Sequence, residues 1–319
     1  MGYGGRADDP YRQETVKGMG RIRDAVQVQN LYFQLQGLAG VVALVALLAR
    51  LGKGGLVCHF SPTALPPGIY LEMFTAFLQM FLILLCVSVL TLWLSGAASV
   101  AALIGNEMLL WLIPLSFAWP FLRGMGWVVV SPDLGWERGA GVLTEVRWGV
   151  FAYLLITPAS VLVGIIAAMV ARELSGDAAG PEVSGFPTYQ APLSGSWIPV
   201  VIGTLSSVVW APIVEETLFR GALYRFLRSW SGVWVSALIC GAMFGAIHPY
   251  GSQGIVQVAA SGVMYALLRE WRGSLVAPVY GRYGFVGGDT GWRRSGGHCV
   301  TLYRVYNACG GTPNIGVKN

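Results

Sequence analysis

The sequence predicts an all-helical membrane protein, a multi-pass transmembrane bundle of about seven to eight spans at roughly 20 residues each. Three observations carry this expectation. The 319 residues are 55% hydrophobic and only 12% charged, with a mean hydropathy of +0.59, whereas soluble domains carry about 25% charged residues. The apolar residues fall into runs of membrane-spanning length rather than amphipathic stripes. Twelve Trp and thirteen Tyr suit two interfacial belts. The net charge of +5 is spread over short loops. It points to positive-inside topology and contact with the lipid bilayer, not to nucleic acid, because no basic patch is interleaved with aromatics.

The elements follow in order. Residues 1–30 are polar, include Arg6, Arg12, Lys17, Arg21 and Arg23, and read as a cytoplasmic N-terminal segment rather than a signal peptide. Residues 31–171 form the N-terminal transmembrane helices. Leu31–Leu51 is the first run, followed by a Pro-rich loop, Pro62–Pro67. Ile69–Leu94 is clean apart from Glu72. Ala97–Leu122 carries Asn106 and Glu107 and is interrupted by Pro114 and Pro120. Arg123–Arg147 is mixed and interfacial, and Trp148–Val170 is a fourth span.

Residues 172–196, rich in Gly, Pro and Ser, form a linker. Residues 197–280 are the core of the second half. Trp197–Val214 runs into Glu215-Glu216 and on to Arg228, followed by Gly232–His248 and Gln253–Leu268. Ser274–Tyr280 begins as a helix and stops. Residues 281–319 are a Gly-rich polar tail, and the abrupt loss of hydrophobicity near Tyr280 reads as a change of reading frame. Arg225 and Arg228 are separated from Arg269 and Arg272 by an even number of crossings, which puts both pairs on the cytoplasmic side.

The five cysteines lack C-x-x-C spacing, so neither a disulfide framework nor a thiolate zinc site is indicated. Cys86 and Cys240, inside apolar runs, are expected in the core. Any histidine chemistry must use His59, His248 or His298.

The informative residues are Glu215 and Glu216. A charge in the bilayer core costs about 2.5–3.5 kcal/mol even on the lenient insertion scale, so an acid doublet there needs partners and marks a functional site. Arg220 lies four residues beyond Glu216, on the same helix face. Glu215 is about 100° round the helix, so one acid can be paired while the other faces a cavity. Pro212 should bend the helix just before them. A structural ion pair near the interface explains the doublet alone, but a second apolar segment brings His248. Gly241, Phe244, Gly245 and His248 share one face, and Gly241-x-x-x-Gly245 allows close helix packing in lipid. Pro249 and Gly251 end that helix.

Two carboxylates and an imidazole suit a general base acting on water, with the imidazole stabilising an oxyanion or donating a proton. They also suit a divalent metal such as zinc, with Glu216 and His248 as two of its ligands and a further one from elsewhere.

The stretch Ala211-Pro212-Ile-Val-Glu-Glu-Thr-Leu-Phe-Arg220-Gly221 resembles the first motif of the CPBP intramembrane proteases. That family includes the type II CAAX prenyl endopeptidases and bacteriocin-processing or immunity (Abi-like) proteins. Phe244-x-x-x-His248 resembles its second motif, and Gly273–Pro278 the lead-in to its third. The resemblance implies hydrolysis of a peptide bond of a membrane-associated protein or peptide, prenylated in one branch of the family. Glu215 and Glu216 would activate water, Arg220 would fix their helix, and His248 would stabilise the intermediate or bind metal. Members are often described as metalloproteases, a metal-free glutamate mechanism is also proposed for them, and the metal stays open. The third motif, a His followed four residues later by Asn or Asp, is missing: its positions fall near Arg282 and Val286.

Two other functions compete with an endopeptidase. One is a catalytically inactive relative that binds a membrane peptide or partner. The other is a transporter using Glu215, Glu216 and His248 as a proton relay, against which stands the lack of an inverted repeat. The His of Gly-Gly-His298-Cys and the loop residue His59 are weak substitutes for the missing His.

Overall fold

The computed structural model describes residues 27, 31–32, 34–50, 58–61, 63–95, 105, 108–175, 198–248 and 250–283. The chain divides into a larger unit, Gly37–Gly287, and a smaller one, Met1–Gln36 with Gly288–Asn319. The described residues of the smaller unit are helical. Asn106, Glu107, Pro249, Val286, His298 and the linker at 176–196 lie outside the described residues.

Among the described residues there are helices and no strands. Three helices contain stretches long and apolar enough to cross a membrane: Gly68–Thr91, Val142–Leu174 and Val201–Arg228. Shorter apolar helices are Gln34–Arg50 (α1), Met108–Leu122 (α3) and Val233–Ala246 (α7). The long helices are α2 (Gly68–Ser95), α5 (Val142–Ser175) and α6, which joins Ile198–Leu205, Ser206–Trp210, Ala211–Glu215, Glu216–Leu223 and Tyr224–Arg228 end to end. The remainder are α4 (Trp127–Leu134), α8 (Ser252–Arg272) and a last helix, α9, at 276–283.

The outward faces of α2 and α5 are apolar. Leu82, Ile83, Trp93, Leu162, Ile165 and Met169 are all exposed in the isolated chain, an arrangement that suits hydrocarbon and not water. Cys86 is on such a face, exposed rather than in the core as the sequence suggests; Cys240 is buried. An apolar run on a helix surrounded by lipid does not reveal which side faces protein.

The core is aromatic. Phe219 of α6 meets Phe74 of α2 at 5.2 Å and Phe244 of α7 at 5.0 Å, both edge to face. That geometry adds about 0.5–1.5 kcal/mol per pair beyond the area buried. It ties the three helices together directly beneath the charged residues of α6.

Several boundaries differ from the sequence reading. The span expected from Trp148 begins earlier, as α5 from Val142, and the interfacial segment before it contains α4. Pro158 lies inside α5, and α1 approaches closely there: a Cβ on Gly40 would sit 2.9 Å from the Leu154 carbonyl, the one that Pro158 has no N–H to bond. In α3, Pro114 opens a 3-10 stretch, Ile113–Ala118. Glu72 is paired with Arg123 at 2.8 Å and accepts from the Trp119 indole at 2.8 Å.

The arginines assigned to cytoplasmic loops are instead largely buried. Arg225, Arg228 and Arg269 all lie over the Phe60 ring, at 4.7, 5.8 and 5.1 Å, so the two pairs do meet at one end of the bundle. Arg228 pairs with Glu270 at 3.0 Å and Arg272 with Glu145 at 2.6 Å. Gly135, at φ +96°, ends α4 in a conformation that favours glycine, and a Cβ there would strike the Arg269 guanidinium.

Asp133 organises this end. It accepts from Thr63 Oγ1 at 2.7 Å, Tyr70 Oη at 2.6 Å and the Ala64 amide at 3.1 Å, and lies 3.6 Å from Arg225. Burial opposes its charge, but the hydrogen bonds from Tyr70 and Thr63 and the Arg225 guanidinium outweigh it and hold the carboxyl below the ordinary aspartate range. A depressed folded-state value means the stabilisation is present above the unfolded pKa and is lost as pH falls through the folded one. Asp133→Ala should cost about 3–5 kcal/mol, the figure for removing one partner of a buried pair. Thermal unfolding in detergent checks this, with the difference from wild type shrinking in acid.

Candidate active site

The acid pair sits on an unusual stretch of helix. Two segments of α6, Ser206–Trp210 and Glu216–Leu223, are wound as π-helix. The Ala211 amide donates to Ser206 O and the Tyr224 amide to Phe219 O, each spanning five residues. Pro212 explains the first widening, since it cannot donate and its ring would clash with the carbonyl four residues back. The second widening carries the charged residues and is entirely buried. Single π turns inside α-helices occur frequently at functional sites.

Glu216 and Arg220 are both fully buried, at 0% exposure, with Arg220 Nη1 3.0 Å from Glu216 Oε1. Arg220 Nη2 donates to the Gly262 carbonyl of α8 at 3.0 Å, and the guanidinium carbon lies 4.4 Å from the Phe244 ring centroid. One side chain therefore touches three helices. Glu215, next in the chain, is different. Its side chain keeps 22% of its exposure, and its Oε1 lies 4.0 Å from His248 Nε2.

His248 is delivered by α7. That helix ends at Ala246 rather than at His248 as the sequence suggests, and the His248 amide still donates to Gly245 O at 3.1 Å. Its Nδ1 lies 2.6 Å from the Phe244 carbonyl. A carbonyl only accepts, so Nδ1 carries the hydrogen and Nε2 is the nitrogen turned to Glu215.

The glycine stripe makes the meeting possible. A Cβ on Gly241 would lie 2.7 Å from the Ala259 carbonyl, one on Gly245 2.7 Å from the Ile255 carbonyl, and one on Gly262 2.9 Å from Gly241 Cα. The backbones of α7 and α8 thus touch, as small-residue stripes permit in lipid.

The structure brings together Glu215, Glu216, Arg220, His248, Phe244, Gly241 and Gly245. His59 stays apart, with Nδ1 2.9 Å from the Trp271 carbonyl. Two participants were not singled out from sequence for the site. Gly262 supplies the carbonyl for Arg220; the small pair Ser261-Gly262 within the apolar middle of α8 was its only signal. Arg282 of α9 lies where the third motif's His is expected, and its Nη2 donates to Glu215 Oε2 at 2.5 Å. The helix carrying it runs past Tyr280 to Tyr283 despite the drop in hydrophobicity.

A divalent metal does not fit these residues. Among the described residues no three His, Cys, Asp or Glu side chains converge as ligands. His248 faces Glu215 rather than Glu216, and each carboxylate already has a guanidinium beside it. What remains is an acid–imidazole pair with one partly open carboxylate, held against a buried ion pair.

Buried charge, assembled from two sequence motifs on neighbouring elements, defines a polar site among apolar helices. Residues 197–284 match the family model described as type II CAAX prenyl endopeptidase Rce1-like. The chain is also 30% identical over 165 residues, half of its own length and 67% of the other, to an Escherichia coli protein described only as an uncharacterized 24.3 kDa protein. No solved structure matches. The chain belongs to the CPBP family of intramembrane proteases, and its three long apolar helices together with that membership place it in a membrane.

The glycine contacts give a direct test. Gly245→Val must push α7 off the α8 backbone and carry His248 away from Glu215, at about 1–3 kcal/mol for overpacking. Gly203→Ala, within α6 where a Cβ meets nothing within 4 Å, should not lower thermal stability in detergent.

Proposed function

We propose that this chain is a multi-pass endopeptidase of about seven to eight spans at roughly 20 residues each, in a cell membrane, hydrolysing a peptide bond near the membrane-anchored end of a prenylated protein or peptide. The observation that carries the proposal is the division of labour between adjacent acids. Glu216 is sealed against Arg220, while Glu215 keeps part of its exposure and faces His248 Nε2 at 4.0 Å.

In this reading Glu215 takes a proton from water as the water attacks the carbonyl carbon. The imidazole of His248 stands on the other side of that carboxylate. Its Nδ1 hydrogen is fixed on Phe244 O, so Nε2 is the position that can take up a proton and pass it to the leaving amine. Arg220 is a positioning residue: it anchors α6 to α8 through Gly262 and so sets where Glu215 stands. Apolar surroundings strengthen each of these interactions by excluding water.

The family model's description names CAAX prenyl endopeptidases, and it is this that favours a prenylated tail over other membrane peptides as substrate. The test uses the full chain in proteoliposomes with a farnesylated CAAX peptide. Glu215→Gln and His248→Ala should each lower cleavage by about 10²–10⁴-fold, the usual range for loss of a general acid or base, with the fold retained. Cleavage unaffected by Glu215→Gln would contradict the assignment.

A further inference from the structure

Arg282 is a member of the site that neither motif assigns. Its side chain is 5% exposed. Nη2 donates to Glu215 Oε2 at 2.5 Å, Nε stands 4.0 Å from Glu216 Oε1, and the guanidinium carbon is 4.9 Å from the Phe244 ring centroid. Arg220 lies over the same ring at 4.4 Å. Two guanidinium groups therefore share one aromatic ring and pair with two carboxylates, and the four formal charges cancel.

The consequence falls on Glu215. Arg282 is within hydrogen-bonding distance of it, while His248 Nε2, at 4.0 Å, is beyond that distance. A guanidinium–carboxylate bond has both partners charged, and charge-assisted bonds are roughly twice as strong as neutral ones. Oε2 is engaged in this way, and the charge it shares with the guanidinium makes the carboxylate a weaker base at Oε1, the oxygen turned toward His248. The neighbouring acid cannot take over, because Glu216 is fully buried against Arg220.

We infer that Arg282 is a built-in brake on this site, a positioning residue whose ion pair withholds Glu215 and whose release makes the carboxylate reactive. The inference rests on Glu215 being the reactive acid. α9 carries Arg282 within the described stretch 276–283. Its packing near the site passes through small residues. A Cβ on Gly149 of α5 would lie 2.7 Å from the Ala277 carbonyl, and one on Gly281 2.8 Å from the Tyr265 ring. These close approaches let α9 bring the guanidinium up to Glu215, beside Glu216 Oε1 as well.

The experiment labels the full chain in detergent with dicyclohexylcarbodiimide, which attacks carboxyl groups in apolar surroundings, and follows the adduct on the Glu215 peptide by mass spectrometry. Arg282→Gln should accelerate labelling of Glu215 by about tenfold or more, the effect of removing one nearby opposite charge, and Glu215→Gln in that background should remove the adduct. Arg282→Lys keeps the charge, spares the fold, and should give a smaller acceleration of the same sign. Equal labelling rates in wild type and both variants would overturn the inference. In a wild type that cleaves the farnesylated peptide, Arg282→Gln should also cleave faster; faster labelling with unchanged cleavage would overturn it too. A chain that labels as expected but cleaves nothing counts against the peptidase reading and leaves the ion-pair contact standing.

Discussion

A buried pair of opposite charges, Glu216 and Arg220, is the constraint on which the second half of the molecule depends. Taking two ions out of water costs several kcal/mol each, and their attraction repays this only with good geometry and further hydrogen bonds. The arginine meets that requirement in part, whereas neither carboxylate oxygen of Glu216 has a hydrogen-bond partner among the described residues. Arg220 reaches the Gly262 carbonyl and lies against Phe244. Gly262 can present its carbonyl because it faces Gly241 with no side chain between. The π-wound turn from Glu216 to Leu223 keeps both charges on the inner side of α6. Stability is not the reason to keep such a pair; an apolar replacement would serve the fold as well. Its use is to fix one acid so firmly that the next residue, Glu215, stands at a defined place beside His248.

The same logic runs through the opposite end of the bundle. Arg225, Arg228 and Arg269 converge on Phe60, with Asp133 and Glu270 among them. That cluster holds α4, α6, α8 and the loop before α2 together, and so fixes the far end of the helix that carries the acids. Between the two charged layers lies the aromatic stack of Phe74, Phe219 and Phe244. The site is thus supported from both sides along α6.

Much of this was legible in the sequence, for physical reasons that can be named. The apolar runs gave the helical class, because only helices satisfy their own backbone in lipid at that composition. The acid doublet stood out because charge is costly in such a run, and the glycines four apart showed which face of α7 packs. Other features were hidden. Cys86 could not be placed, since lipid-facing and protein-facing residues are equally apolar. The arginines at the ends of α6 and α8 read as loop charges, because their partners Asp133, Glu145 and Glu270 lie 42 or more residues away, and pairing at such distance leaves no local pattern. Arg282 was visible only as the wrong residue at an expected His position. That it turns into the site and bonds to Glu215 depends on α9 continuing past Tyr280, against the trend of hydrophobicity.

The central claim is that Glu216 and Arg220 act as one unit on which the site is built. A double-mutant cycle on thermodynamic stability tests it most directly, using wild type, Glu216→Gln, Arg220→Met and the double variant in one detergent. Each single variant strands a buried group and should lose about 3–5 kcal/mol. The double variant should lose less than their sum by more than about 1 kcal/mol, as expected for groups in contact. Losses that add to within about 0.5 kcal/mol, the behaviour of independent sites, would contradict the account.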